Sequence, residues 1–279
     1  MTRTISVLLR NKGFLAALLA GVSLIAPVRA ADWVETQGAT LRLLRGPVVN
    51  GVAHLGLEIA MKPGWHTYWR YPGDSGVPPE ISLTQADAAK SLTIGYPAPQ
   101  RFGSPGDQTI GYDGDVVLPI AAALADPTQR TTLALTARLG ICHDICLPVD
   151  ETLSVQFDPA SAPSAEDLAR LQAADASVPK PVAAGAPLSV TALTVDTSRK
   201  PAVAEMTLLG EDASVHDVFV EGPEGWALPL PQREKAEAGK SHWRFALDGL
   251  PSGAKWQSAP LVVTVVGAHG AVTQTVRLD

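Results

Sequence analysis

The chain has 279 residues, 22 basic and 28 acidic side chains, a formal net charge of −6 and two cysteines. An acidic balance argues against nucleic acid or an anionic membrane surface as a partner. Two cysteines cannot staple a chain of this length, so its stability has to come from apolar burial.

At the N-terminus, Arg3, Arg10 and Lys12 surround the start of an apolar run, Gly13 to Ala26, and Val28-Arg29-Ala30 offers small residues to a signal peptidase. The run is short for a bilayer span, so residues 1–30 read as an export signal and the mature chain starts near Ala31. Removing them takes away four basic residues and no acidic one, and the formal charge falls to −10. No cysteine lies near the cut, so a lipid anchor is not expected. No later apolar stretch approaches the ~20 residues of a membrane helix. The expectation is a soluble periplasmic protein without stable membrane insertion, large enough for two ordinary domains.

From there the chain reads with period two. Leu55, Leu57, Ile59 and Met61 alternate with small or polar residues, as do Leu133, Leu135, Ala137 and Leu139, and then Leu153, Val155 and Phe157. Clusters such as Lys62-Pro63-Gly64, Pro72-Gly73-Asp74 and Asp113-Gly114-Asp115 punctuate these segments as turns of an antiparallel sandwich. The class is all-β.

Aromatic residues are concentrated in Gly64-Trp65-His66-Thr67-Tyr68-Trp69-Arg70-Tyr71. In an extended chain Trp65, Thr67 and Trp69 share one face while His66, Tyr68 and Arg70 share the other. One face can fill a core and the other can line a polar site, although such a strand also serves as ordinary core packing.

Both cysteines fall in Cys142-His143-Asp144-Ile145-Cys146, followed by Leu147-Pro148. On one extended strand they would stand about 13 Å apart. A disulfide needs Cα atoms within about 4.4 to 6.8 Å, so His143-Asp144-Ile145 has to turn the chain back. So short a ring constrains the unfolded state by only ~2 kcal/mol, a weak use of the sole pair as a clamp. Small strained disulfides are the labile ones, and the physics favours redox exchange over a static link. A third reading stays open: two thiolates suit Cu(I), whereas zinc normally takes four ligands. A protonated His143 would favour a thiolate and Asp144 would oppose it.

Residues 159–187 break the pattern, with Pro159, Pro163, Pro179, Pro181 and Pro187 around Ser164 to Leu171. Ser164 followed by Asp167 resembles a capping box, which predicts a short helix inside a proline-rich connector. Strand-like alternation resumes at Leu188–Val195, Val203–Leu209, Trp243–Leu247, Leu261–Val266 and Val272–Leu278. A second sandwich of about 90 residues fits this run.

Taken in order, the Gly64 to Trp69 segment, Pro72-Gly73-Asp74-Ser75-Gly76, Gly111-Tyr112, Val117-Leu118-Pro119 and Cys142 to Pro148 resemble the N-terminal periplasmic domain of the DsbD and ScsB thiol:disulfide interchange proteins. The resemblance spans residues 33–158 and implies an immunoglobulin-like sandwich. In that family the cysteine pair accepts electrons from a thioredoxin-like domain and passes them to periplasmic oxidoreductases. It further implies that Cys146 forms mixed disulfides and Cys142 resolves them, with His66 and Tyr68 beside the pair and Phe102 in a covering loop. His143 completes the candidate shell. Residues 187–279 resemble, more loosely, the second sandwich of the ScsB branch.

The expected organisation is a signal peptide over 1–30, a redox sandwich over 31–158, a connector over 159–186 and a second sandwich over 187–279. No organic cofactor and no metal are needed for exchange. DsbD has a longer cysteine spacing and continues into membrane and thioredoxin-like domains. A separate thiol reductant, membrane-embedded or thioredoxin-like, is therefore the expected donor, and periplasmic disulfide oxidoreductases are the expected clients. The competing class is a copper-binding or partner-binding module in which the cysteines hold a soft metal or form an inert clamp.

Overall fold

The computed structural model describes residues 33–73, 76–85, 87–104, 107–210, 214–237 and 239–279. The export signal expected over residues 1–30 lies outside the described residues.

Strands form where one alternating face has apolar surface to bury. In chain order the first eleven are β1 (Val34–Glu35), β2 (Ala39–Val49), β3 (Val52–Met61), β4 (His66–Gly73), β5 (Glu80–Leu83), β6 (Ala89–Ile94), β7 (Gln100–Ser104), β8 (Asp107–Asp113), β9 (Val116–Leu124), β10 (Thr131–Cys142) and β11 (Cys146–Phe157). They build a five-stranded sheet ordered β1-β2-β3-β9-β6 and a six-stranded sheet ordered β11-β10-β4-β8-β7, with β5 attached to β10. Leu41, Leu55 and Leu118 from the first sheet meet Trp69, Leu135 and Ile141 from the second in one core. The all-β class expected from the alternation, and the immunoglobulin-like sandwich implied by the resemblance, are what the chain adopts.

One strand of this sandwich is buried on both faces. All five residues from Leu55 to Ile59 are inaccessible, because helix α1 (Ala165–Ser177) covers the outer side of β3. Gly56 makes room for it: a Cβ there would stand 2.7 Å from the Leu171 side chain. Buried Glu58 is matched by Arg42 at 2.5 Å and by Arg170 of the helix. The N-cap is as expected, with the Asp167 N–H donating to Ser164 Oγ at 3.0 Å. The Asp167 carboxylate accepts from the Arg45 N–H at 3.1 Å instead of closing a reciprocal capping box. The helix also runs a turn and a half past Leu171, where the sequence pattern had placed its end.

Eight further strands follow: β12 (Lys180–Pro181), β13 (Val190–Asp196), β14 (Val203–Leu209), β15 (Val215–Glu221), β16 (Gln232–Glu237), β17 (Lys240–Ala246), β18 (Pro260–Gly267) and β19 (Gly270–Arg277). They form sheets ordered β12-β19-β18-β15 and β13-β14-β17-β16, closed over Met206, Val218, Val220, Trp243, Phe245 and Leu261. Neither β15 nor β16 stood out in the sequence. In β15 the residues Val218, Phe219 and Val220 are all buried, since Val218 and Val220 face their own core while Phe219 enters the core of the first sandwich. Period two is kept, but both faces are apolar.

Phe219 lies 5.7 Å from Trp69 between ring centroids, and Leu230 joins it in the first core. Around this plug Arg70 binds Glu221 through two bonds of 2.8 and 2.7 Å. Arg101 binds Asp217 through two more of 3.0 and 2.7 Å, and Tyr71 Oη donates to the Leu228 carbonyl at 2.6 Å. Phe219→Ala should lower unfolding stability by about 3–5 kcal/mol, the usual result of emptying a buried aromatic site. Chemical denaturation of the wild type should show one cooperative transition for both sandwiches, because the core of the first is incomplete without the second.

Candidate redox site

Cys142 ends β10 and Cys146 begins β11. Every residue of β10 pairs with β11 in unbroken antiparallel register, ending with Cys142 opposite Cys146. The two are joined by a disulfide with Cα atoms 4.1 Å apart. His143-Asp144-Ile145 forms the reversal that the spacing required, closed by the His143 N–H donating to the Ile145 carbonyl at 3.1 Å. The two sulfur-bearing residues differ sharply in access: Cys142 is 1% exposed, whereas Cys146 and the loop are exposed, Ile145 at 65%.

Strand β4 supplies the neighbours. His66 registers with Cys142 on one side and Asp113 on the other, so Cys146, Cys142, His66 and Asp113 stand in one row across four strands. Thr67 points inward and its hydroxyl donates to the Gly140 carbonyl at 2.8 Å, tying β4 to β10 beside the pair. Tyr68 points outward, yet is only 5% exposed. Its hydroxyl oxygen is 3.0 Å from Cys146 Sγ and 3.2 Å from Cys142 Sγ. Sulfurs joined in a disulfide carry no hydrogen, so in both contacts the phenol is the donor.

The His66 ring lies edge-on to Phe102 at 4.9 Å and to Tyr68 at 6.0 Å between centroids. Burial lowers its pKa from 6.5; the Asp113 carboxylate opposes this and His143 adds to it. At neutral pH the imidazole is therefore mostly neutral and adds little positive charge to favour a nearby thiolate. Phe102, half-buried on β7, packs over His66. His143 packs on Trp65 at 5.7 Å and over Gly64, with Nδ1 3.0 Å from the Asp144 carboxylate.

The structure thus gathers His66, Tyr68 and Phe102 on one side of the cysteines, with His143 on the loop between them. Arg70 departs from the face that simple alternation assigned it. A register shift between Tyr68 and Gly73 turns the strand, and its guanidinium lies over the Trp69 ring at 4.2 Å on its way to Glu221. Sequence reasoning gave no role to Gly140, nor to Gly76 beyond its place at the end of the Pro72 to Gly76 motif, and both flank the Tyr68 ring. A glycine inside the otherwise regular β10 was the available signal. Also unforeseen was Arg101, next to Phe102, which adds bonds to the Val218 and Pro231 carbonyls at 3.2 and 3.1 Å. Beside the site β11 is a sheet edge, and a groove of about 420 Å3 runs along it between Thr36-Gln37-Gly38 and Leu147-Pro148. Among the described residues no group of three or more His, Cys, Asp or Glu side chains is assembled to hold a metal ion.

An immunoglobulin-like sandwich thus carries a hairpin-end cysteine pair with one cysteine buried and one exposed, an arrangement suited to thiol:disulfide interchange. Residues 47–158 match the family model for the N-terminal part of the thiol:disulfide interchange protein DsbD. The N-terminal periplasmic domain of ScsB from Proteus mirabilis superposes with a TM-score of 0.72 at 24% identity, covering 89% of this chain and 98% of that one. Its overlap reaches across both sandwiches. The CupB2 chaperone of Pseudomonas aeruginosa aligns at 12% identity over 81% of this chain and 93% of its own, with a TM-score of only 0.22. No curated protein sequence matches the chain.

The lowered pKa of His66 has a signed consequence for stability. The unfolded chain takes up a proton at about 6.5 while the folded chain resists it, so this residue's share of stability is full above that pH and is lost as pH falls through the folded value. The stability difference between wild type and His66→Gln should accordingly shift against the wild type between pH 7.5 and 5. Parallel pH profiles from denaturant titrations would contradict it.

Proposed function

We propose that the protein is a periplasmic electron relay that works through the Cys142–Cys146 couple. A thioredoxin-like thiol reductant is the donor and periplasmic disulfide oxidoreductases are the clients. The observation that carries this reading is the asymmetry of the pair: Cys146 is open to solvent while Cys142 is covered, with one phenol hydroxyl in reach of both sulfurs. The export signal read over residues 1–30 and the periplasmic setting of the ScsB domain support the compartment.

In the forward half-reaction a donor thiolate attacks Cys146 Sγ. The Cys142–Cys146 bond breaks, a donor–Cys146 bond forms, and Cys142 leaves as a thiolate that then takes a proton. The donor's second thiolate attacks its own sulfur of the mixed disulfide, releasing Cys146 as a thiolate that is protonated in turn. Two electrons and two protons have passed to this protein, and the donor holds a disulfide. Reversal against an oxidised client returns the pair to its starting state.

The reach of the Tyr68 hydroxyl to both sulfurs supports a part for it in the first displacement. A hydrogen bond to a thiolate is stronger than one to a disulfide sulfur, so its hydroxyl stabilises Cys142 as that sulfur becomes charged in a covered position. Cys146 at the start of an edge strand with Pro148 two residues on leaves the partner's approach free of competing ladder bonds on that side.

Two measurements test the relay. In a titration against glutathione or dithiothreitol of known poise, with thiol trapping, the pair should cycle as one two-electron couple while the fold stays cooperative; reduction only upon unfolding would leave a clamp. Cys142→Ala should accumulate a mixed disulfide through Cys146 when mixed with a thioredoxin-like partner in its oxidised form, the Cys146 thiolate attacking the partner disulfide and the partner's other sulfur leaving as a thiolate, several-fold more than Cys146→Ala does. Equal trapping by the two variants would remove the directional assignment.

A further inference from the structure

Tyr68 acts on the sulfurs only if its hydroxyl is delivered to one place, and a tyrosine on the outer face of a sheet has room to swing unless something confines it. Two glycines confine it. A Cβ on Gly140 would stand 2.8 Å from Tyr68 Cε2 and 3.0 Å from Cδ2. A Cβ on Gly76 would stand 2.3 Å from Pro72 Cβ, and 2.7 Å from Cδ1 and 2.8 Å from Cε1 of Tyr68. The two glycines therefore close on opposite long edges of the same ring, and a ring pushed from one side is driven into the other.

Neither glycine has a positive φ, so the backbone at these positions does not demand glycine. What demands it is space. At Gly140 the ring carbons of Tyr68 are the only heavy atoms within 4 Å of an added Cβ, among those outside its chain neighbours. The Gly140 carbonyl is itself held by the Thr67 hydroxyl at 2.8 Å, which fixes this wall of the slot relative to the strand that carries Tyr68.

We infer that Gly140 and Gly76 are positioning residues of the redox reaction: they form a slot that confines the Tyr68 ring by its two long edges and sets its hydroxyl within reach of the sulfurs of Cys142 and Cys146. The inference rests on the role given above to the Tyr68 hydroxyl. Its consequence is that a single methyl group at position 140, which touches neither cysteine, weakens the stabilisation of the leaving thiolate.

The experiment is a double-mutant cycle on the full chain, with Gly140→Ala, Tyr68→Phe and the double variant. Each oxidised protein is reduced with excess dithiothreitol, and free thiols are trapped over time. Thiolate absorbance of the reduced proteins is titrated in parallel, and denaturant unfolding reports the fold. Tyr68→Phe should slow reduction about tenfold, the loss of one hydrogen bond to a charged group, and raise the pKa of the covered thiol. Gly140→Ala should move both readouts in the same direction, and adding it to Tyr68→Phe should change neither by more than about twofold.

If Tyr68→Phe reacts like the wild type, the hydroxyl role fails. If Tyr68→Phe is slow but Gly140→Ala is not, the hydroxyl role stands and the slot is overturned. Additive effects in the double variant overturn it too, because Gly140 would then act without the hydroxyl. Should Gly140→Ala fail to fold, the same substitution beside Tyr68→Leu should restore folding, since the smaller side chain vacates the contested space. Failure in both backgrounds overturns the slot.

Discussion

Strand β4 is the element on which the rest of the structure depends. It runs through the middle of the six-stranded sheet, and successive side chains leave it on opposite faces. Thr67 and Trp69 go into the core, while His66 and Tyr68 go to the cysteine pair. A slip of one residue would exchange the two sets, sending an imidazole and a phenol into the core and a tryptophan to the sulfurs. The burial of Trp69 and the bond from Thr67 to Gly140 hold the register, so the core sets the geometry of the redox chemistry.

The chemistry depends on an inequality between two residues that the β10–β11 ladder places directly opposite each other. Cys142 has β4 on its other side and Tyr68 above it. Cys146 opens an edge strand and is exposed, with no strand beyond it, although the Tyr68 hydroxyl reaches its sulfur as well. In the proposed exchange, attack at Cys146 makes Cys142 the leaving group, and the leaving group is where charge develops. With His66 kept mostly neutral by its burial, the proposed role of the Tyr68 hydroxyl is the one a cation would fill in a more electropositive thiol site.

The second sandwich is bound to the same strands that carry the site. Trp69 meets Phe219 and Arg70 reaches Glu221, while Arg101 holds Asp217 next to the residue that packs over His66. Each arginine makes a two-pronged contact with a carboxylate, the geometry in which an ion pair also fixes orientation. Burial raises the pKa of the Asp217 carboxyl despite its arginine, a sign of how far this contact is withdrawn from water. Domain contacts built on an aromatic plug and forked ion pairs leave little freedom for one sandwich to move on the other.

Much of this was legible in the residues. Alternation in Leu133 to Leu139 and Leu153 to Phe157 marked β10 and β11. The four-residue spacing of the cysteines required a reversal between them, and the Gly64 to Trp69 segment carried both the family resemblance and the two faces of β4. These features are local: they follow from period two, chain length and turn chemistry. Other features came only from the tertiary structure, because they depend on what a second element brings. β15 looked unpatterned since its two faces feed different cores, and β3 is buried on both sides because α1 lies over Gly56. That Cys142 is the covered sulfur, that Gly140 makes room for a ring on the neighbouring strand, and that Arg70 turns toward Glu221 are facts of register and packing between distant segments. The sequence by itself determined the sandwich class and the chain reversal that brings the two cysteines together; only the tertiary structure decided which cysteine is exposed and what stands over the pair, since exposure is set by neighbours that lie far apart along the chain.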